Sequence, residues 1–166
     1  DNLGYTVNEG DVISVTGEVA QFNGKSQIGF LTDITMVGTD VVPAPTVVTE
    51  LGESTEGELV TFNDLIFLSE NGETWDVETQ SGRPYELRVD GDINYSGRIP
   101  NANEVINVTG IGSQFYSNVL TDPDCNKFYQ ITIRKTEDIQ FTSSIASTSL
   151  DRIEIYPNPA VNTITI

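Results

Sequence analysis

Apolar and polar residues alternate along much of this chain. In VISVTGEVAQF (12–22) the residues Ile13, Val15 and Val19 fall on one side of the alternation, and in QITI (130–133) Ile131 and Ile133 do the same. A period of two sends successive side chains to opposite faces, so these stretches predict half-buried strands. No stretch carries the pattern of a long amphipathic helix. The first two strands are predicted within 11–36, joined by FNGKS with Asn23-Gly24 as a hairpin signal. Residues 58–68 (ELVTFNDLIFL) predict a long apolar strand, bulged near Asn63-Asp64, and Asn71-Gly72 predicts the turn after it. Residues 73–79 and 84–89 pair around Ser81-Gly82, and two more strands follow an irregular connection (90–104), at 105–115 and 128–134. Between the strand groups, Val41–Pro45 reads as a linker, and 49–57 as one or two helical turns with Thr49 as N-cap. Residues 142–152 read as a Ser/Thr-rich flexible linker.

The strand pattern contains an internal repeat. VINVTGIGSQF (105–115) answers VISVTGEVAQF (12–22) at a constant offset of 93, and QITIRKTEDI (130–139) answers QIGFLTDI (27–34). The second copy has three strands before its final pair, and five strands in that order suit a small closed barrel. The first copy has only the final pair. Two arrangements follow. Either the chain begins inside a barrel whose first three strands are missing, or the first pair belongs to the sheet system of the second copy. The expected organisation is a strand pair (1–40), a linker with a short helical turn (41–57), a barrel (58–141), a flexible linker (142–152) and a C-terminal segment (153–166). The chain opens at Asp1 with no signal peptide in view, which reads as a mature form or a fragment.

Composition narrows the chemistry. Apolar residues make up 37 %, which suits a thin barrel or sandwich. The formal net charge is −17, from 8 basic and 25 acidic residues, and such a field repels polyphosphate and opposes nucleic-acid binding. There is no His, so the usual general base and the commonest transition-metal ligand are missing. A single Cys, Cys125, rules out an intrachain disulfide and a Cys-based zinc site. No apolar run approaches the ~20 residues of a membrane-spanning helix.

Several residues are candidates for a site. Asp90, Asp92 and Asn94 have D-x-D-x-N spacing, which fits either an irregular Ca2+ loop or a plain polar turn; Tyr95 and Asn101 stand where an EF-hand needs Gly and Glu. Asp122, Asp124 and Asn126 repeat the spacing, again as a metal loop or a solvated acidic tip, with Cys125 between them as a surface thiol or a partner for another chain. Trp75, Tyr85 and Arg88 lie on the middle barrel strands. They are either a stacking surface or, for the two aromatics, part of the core. Alternation puts Tyr85, Leu87 and Val89 on one face and Arg88 on the other, which favours the core. No pair among the 25 carboxylates is marked by a motif or a neighbouring nucleophile, and no Gly-rich phosphate loop is present, so this chain reads as non-enzymatic and in need of no cofactor.

Two family resemblances enter on particular segments. The tail IEIYPNPAVNTITI, with Tyr156, Pro157, Asn158 and Pro159 before an alternating strand, resembles the opening of a type A sorting domain of the type IX secretion system. That resemblance implies export across the outer membrane of a Bacteroidota-type bacterium, to the cell surface or the medium, with the type IX machinery as partner. The stretches GDVISVTGEVAQFNGKSQI, PTVVTELGESTEGELVTFNDLIF, LRVDGDINYSGRIP and VINVTGIGSQF resemble the tandem OB-fold-like accessory modules of secreted hydrolases of the extracellular nuclease or phosphatase type. This implies an all-β fold, an OB-fold-like five-stranded barrel plus a strand pair from a truncated preceding repeat. It also implies a non-catalytic binding or spacer role beside a catalytic or adhesive domain located upstream. FYQITIRKTEDI departs from that family's usual last strand. The alternatives are a nucleic-acid-binding accessory domain of an extracellular nuclease or phosphatase, and a structural surface protein such as an adhesin or filament subunit.

Overall fold

The computed structural model describes residues 4–116 and 128–142. Within them run nine strands: β1 (Asp11–Phe22), β2 (Lys25–Thr39), β3 (Thr46–Val48), β4 (Leu59–Asn71), β5 (Thr74–Glu78), β6 (Pro84–Arg88), β7 (Val105–Gln114), β8 (Tyr129–Thr132) and β9 (Ile139–Phe141). Single 3-10 turns sit at Glu53–Thr55, Gly91–Ile93 and Thr136–Asp138. Asp122, Asp124, Cys125, Asn126 and the Tyr156–Pro159 motif lie outside the described residues.

Five strands close into a barrel. β4 pairs antiparallel with β5, β5 with β6, β8 with β7, and β7 with β4, while β6 and β8 run parallel. Numbered within the ring, the order is one-two-three-five-four, as in an OB-fold-like Greek-key barrel. Ring closure gives each of the five strands a ring partner on both sides. The alternating apolar residues point inward and form the core: Val60, Phe62, Leu65 and Phe67 of β4, Trp75 and Val77 of β5, Tyr85 and Leu87 of β6, Ile106 and Val108 of β7, and Ile131 of β8 are all buried. Trp75 stands edge-on to Phe67 and to Tyr95, with ring centroids 5.6 and 5.3 Å apart.

β4 pairs with three strands, β7, β5 and β3, and it bends along its length. Asp64 takes a left-handed conformation (φ 57°), and the register to β7 shifts between Phe62 and Leu65, where the bulge is expected. Beyond that point β4 meets β5; before it, the same edge is open and β3 adds parallel to Val60–Phe62. The segment 41–57 is therefore more than a linker. Its Thr46-Val47-Val48 run is β-branched and suits this edge. The helical turn that follows is capped differently from the expectation: Gly52 is the N-cap, not Thr49. Gly52 N donates to the Thr55 hydroxyl at 3.0 Å, and that hydroxyl donates to Gly52 O at 2.8 Å.

The barrel leans on this turn at Gly112. Gly112 N donates to Glu58 O at 2.9 Å, and Gly57 N donates to Gly112 O at 2.8 Å. The approach is close enough that a Cβ on Gly112 would overlap the Thr55 carbonyl.

β1 and β2 form a separate two-stranded sheet, not joined to the barrel ladder. The hairpin turn is Asn23-Gly24, both with positive φ. Its tip touches the barrel: Tyr116 N donates to Asn23 O at 2.6 Å, and Ser26 N donates to Glu56 Oε1 at 3.1 Å. At its base Glu9 pairs with Arg134 at 2.9 Å, and Arg134 is held in turn by the buried Asp138 at 3.0 Å.

The connection 90–104 ends in a turn built on Glu104. The carboxylate accepts from both Arg98 guanidinium nitrogens, from Asn101 N at 2.9 Å and from Asn101 Nδ2 at 3.2 Å. The Arg98 contact, then the Asn101 amide, bring the Glu104 pKa from 4.5 to about 2. A depressed folded-state pKa stabilises the fold above the unfolded value, and the gain is lost as pH falls through the folded value. The midpoint of thermal unfolding should therefore drop between pH 4.5 and about 2, with Glu104 as one contributor. Glu104→Gln should lower the midpoint at neutral pH and flatten that acid slope; an unchanged slope would remove Glu104 from the account.

Candidate functional site

Alternation on β5 and β6 has a second consequence. With Trp75, Val77, Tyr85 and Leu87 facing inward, Asp76 and Glu86 face outward. Antiparallel pairing sets the two residues directly opposite each other. They lie in a cleft of about 540 Å³ whose other walls are mainly apolar: Leu68, Pro84, Phe128 and Tyr129. Ser69, from the end of β4, donates to Asp76 Oδ2 at 2.7 Å. Phe128 takes a left-handed conformation (φ 66°) that leaves its ring stacked on Tyr116, centroids 4.4 Å apart and planes 9° from parallel. Arg83 reaches the rim, but its guanidinium is engaged by Glu50 at 3.1 Å and lies 5.3 Å from the Tyr85 ring centroid. Tyr129 donates from its hydroxyl to Glu53 Oε2 at 3.1 Å.

Partial burial first, and the Asp76 charge second, push the Glu86 pKa up. Ionised Glu86 is thus disfavoured in the folded state. This cost is absent well below the ordinary carboxylate range, grows as pH rises from the unfolded toward the folded pKa, and persists above it. Glu86→Gln should accordingly raise the unfolding midpoint at neutral pH, with the advantage fading in acid. A lower midpoint at neutral pH would contradict this electrostatic picture. Chemically, the cleft offers hydrogen-bond acceptors on an apolar floor, and Glu86 adds a proton donor over a wider pH range than an ordinary carboxyl.

The residues singled out from sequence do not converge here. Trp75 and Tyr85 are buried in the barrel. The Trp75 ring packs on Phe67 and Tyr95, and the Tyr85 hydroxyl accepts from Leu51 N at 3.1 Å, so only part of Tyr85 borders the cleft. Neither ring is presented as a stacking platform. Arg88 does point outward, as alternation requires, but it is paired with Glu73 and, at 3.4 Å, with Asp90.

Asp90, Asp92 and Asn94 form a capped turn. Asp90 Oδ1 accepts from Asp92 N at 3.1 Å as the N-cap of the Gly91–Ile93 turn, and its other oxygen faces Arg88. These contacts, the Asp92 amide foremost, lower the Asp90 pKa. Asn94 closes the turn in a left-handed conformation (φ 47°). Among the described residues, no three His, Cys, Asp or Glu side chains come together as a metal site.

Asp76, Glu86, Leu68 and Phe128 are the residues that sequence reasoning passed over. The first two were within reach. Ser81-Gly82 at the centre of a hairpin sets 76 opposite 86, and alternation turns both away from the Trp75 face. Nothing local marks Phe128, whose position depends on the parallel β6–β8 pairing.

The fold and the cleft together define an all-β protein with a closed five-stranded barrel and an acidic, apolar-walled groove on its outer face. The chain matches no protein family, no curated protein and no solved structure.

Proposed function

We propose that this chain is a non-catalytic binding module of a protein secreted by the type IX route, and that the β5–β6–β8 cleft is its ligand surface. The observation that carries the reading is the Asp76–Glu86 pair set among apolar walls. In OB-fold barrels the outer face of ring strands two and three is where oligonucleotides or oligosaccharides bind. Here that face carries two carboxylates, and the chain as a whole carries −17. Charge therefore selects against phosphate backbones and favours uncharged, hydroxyl-rich ligands such as oligosaccharides, whose hydroxyls donate to carboxylates and whose apolar faces suit Phe128 and Leu68. The reading is non-catalytic, and its rival lies in the same residues, since two facing carboxyls, one with a raised pKa, are the usual equipment of glycoside hydrolysis. The YPNP-containing tail supports export.

Calorimetric titration with a panel of neutral oligosaccharides and with single-stranded DNA tests the binding claim. Saccharide binding that weakens at least ~10-fold in Phe128→Ala and in Asp76→Asn is the expected outcome. DNA binding without saccharide binding would favour a nucleic-acid accessory role, and turnover of a glycoside would end the non-catalytic reading. Export is tested separately in a type IX-competent bacterium, where removal of residues 153–166 should keep the protein inside the cell.

A further inference from the structure

We infer that β1–β2 is the fourth and fifth strand of a second barrel, and that its open edges and inner face receive a three-stranded unit of the β4–β6 kind from an earlier stretch of the same polypeptide. The inference rests on structural identity between the hairpin and the barrel's own final strands.

The pairing register is the same residue for residue. Glu18–Gly29, Val19–Ile28, Ala20–Gln27 and Gln21–Ser26 pair as Ile111–Thr132, Gly112–Ile131, Ser113–Gln130 and Gln114–Tyr129 do. Further along, Ile13–Met36, Ser14–Thr35 and Val15–Ile34 reproduce Ile106–Phe141, Asn107–Gln140 and Val108–Ile139. β2 is thus β8 and β9 run together. A Cβ on Gly17 would meet Ile28 Cγ2 at 2.6 Å and Gly29 O at 2.8 Å; on Gly110 it would meet the equivalent Ile131 Cγ2 and Thr132 O, both at 2.5 Å.

The likeness extends to the turn before each pair. Asp11 accepts from Asn8 N at 2.8 Å and Asn8 Nδ2 at 3.3 Å, and Asp11 N donates to Asn8 O at 3.0 Å. Glu104 and Asn101 make the same three bonds at 2.9, 3.2 and 2.9 Å. Tyr5 reaches the Asp11 carboxylate from the position where Arg98 reaches Glu104. Gly10 and Asn103 both adopt positive φ at the same offset.

What differs is cover. Ile131 and Ile133 are 0 % and 1 % exposed in the barrel, whereas their counterparts Ile28 and Phe30 are 47 % and 79 % exposed. Ile106 and Val108 are fully buried, and their counterparts Ile13 and Val15 are only half-buried. In the barrel, the missing cover is β4 along the β7 edge and β6 along the β8 edge. The turn also contributes there, since Asn103 N donates to Phe67 O at 2.7 Å and Phe67 N to Glu104 O at 2.9 Å. An isolated two-stranded ribbon with apolar residues open to water is marginal by itself, and its free edges are pairing templates. The occupant that fits is the one the repeat already specifies: strand one along β1, reached from Gly10 and Asp11, and strand three parallel to the first half of β2. Strand order places that unit before β1.

Hydrogen–deuterium exchange on chain 1–166 and on the whole protein isolated from its native cell or medium tests this. β1 and β2 amides should exchange about 100-fold more slowly in the whole protein, while those of β4–β8 stay unchanged. Equal exchange in the two forms would overturn the inference. So would a native N-terminus too close to Asp1 to supply three strands. Concentration-dependent self-association of 1–166 that protects β1–β2 would also overturn it, by assigning the cover to a second copy.

Discussion

Trp75→Ala is expected to lower the unfolding free energy by about 3–5 kcal/mol, the range for truncating a large aromatic in a packed core. Trp75 is 2 % exposed and is clamped edge-on between Phe67 and Tyr95. The ring fills the barrel where β4 and β5 meet, and it ties Tyr95 from the irregular connection to the core. Neighbours from both sides cannot collapse into the space without breaking the β4–β5 and β5–β6 registers. Because Trp75 is the chain's one tryptophan, denaturation should be followed by circular dichroism, which does not depend on it. Phe67→Leu, which keeps most of the volume, should cost far less. A loss below about 1 kcal/mol in Trp75→Ala would mean that the residue lies at an exposed surface, as a stacking role would require.

Gly112→Ala has the second-largest expected effect, about 1–3 kcal/mol from overpacking. The added methyl would occupy the space of the Thr55 carbonyl, so the 53–58 turn must retreat. Both hydrogen bonds between Gly112 and the Gly57–Glu58 backbone would stretch with it. Loosening the turn should also speed amide exchange at Gly57 and Gly112 specifically. Gly52→Ala is the control, since nothing lies within 4 Å of a Cβ there. Equal stability of the two variants would contradict the packing described for this corner.

Much of the fold was legible because turns and alternation are local signals. Asn23-Gly24 marks a hairpin through two residues that take positive φ, Gly72 does so just after Asn71 at the β4–β5 turn, and Asn63-Asp64 marks a bulge inside an apolar run. The Thr46–Val48 strand was not legible, because a three-residue run has no period to read and depends on the edge β4 leaves open. The same distinction runs through the site. Alternation correctly separated Tyr85, Leu87 and Val89 from Arg88, yet it names a face without saying which face the barrel closes over. Ring closure through β6–β8 and β4–β7 decides that, and both pairings join residues distant in sequence. The D-x-D-x-N spacing at 90–94 had two meanings. The described geometry is that of a cap, because Asp92 N and Arg88 engage the Asp90 carboxylate. The second such spacing, at Asp122 and Asp124, and the sorting motif at Tyr156–Pro159 lie outside the described residues.

The binding claim meets its most direct test in an amide-resolved NMR titration with a neutral oligosaccharide. Saturable shifts confined to Leu68, Ser69, Asp76, Glu86, Phe128 and Tyr129 are expected, lost in the Asp76→Asn/Glu86→Gln double variant while the barrel's remaining resonances stay in place. Shifts centred on Arg88–Asn94, or a response to single-stranded DNA alone, would contradict it.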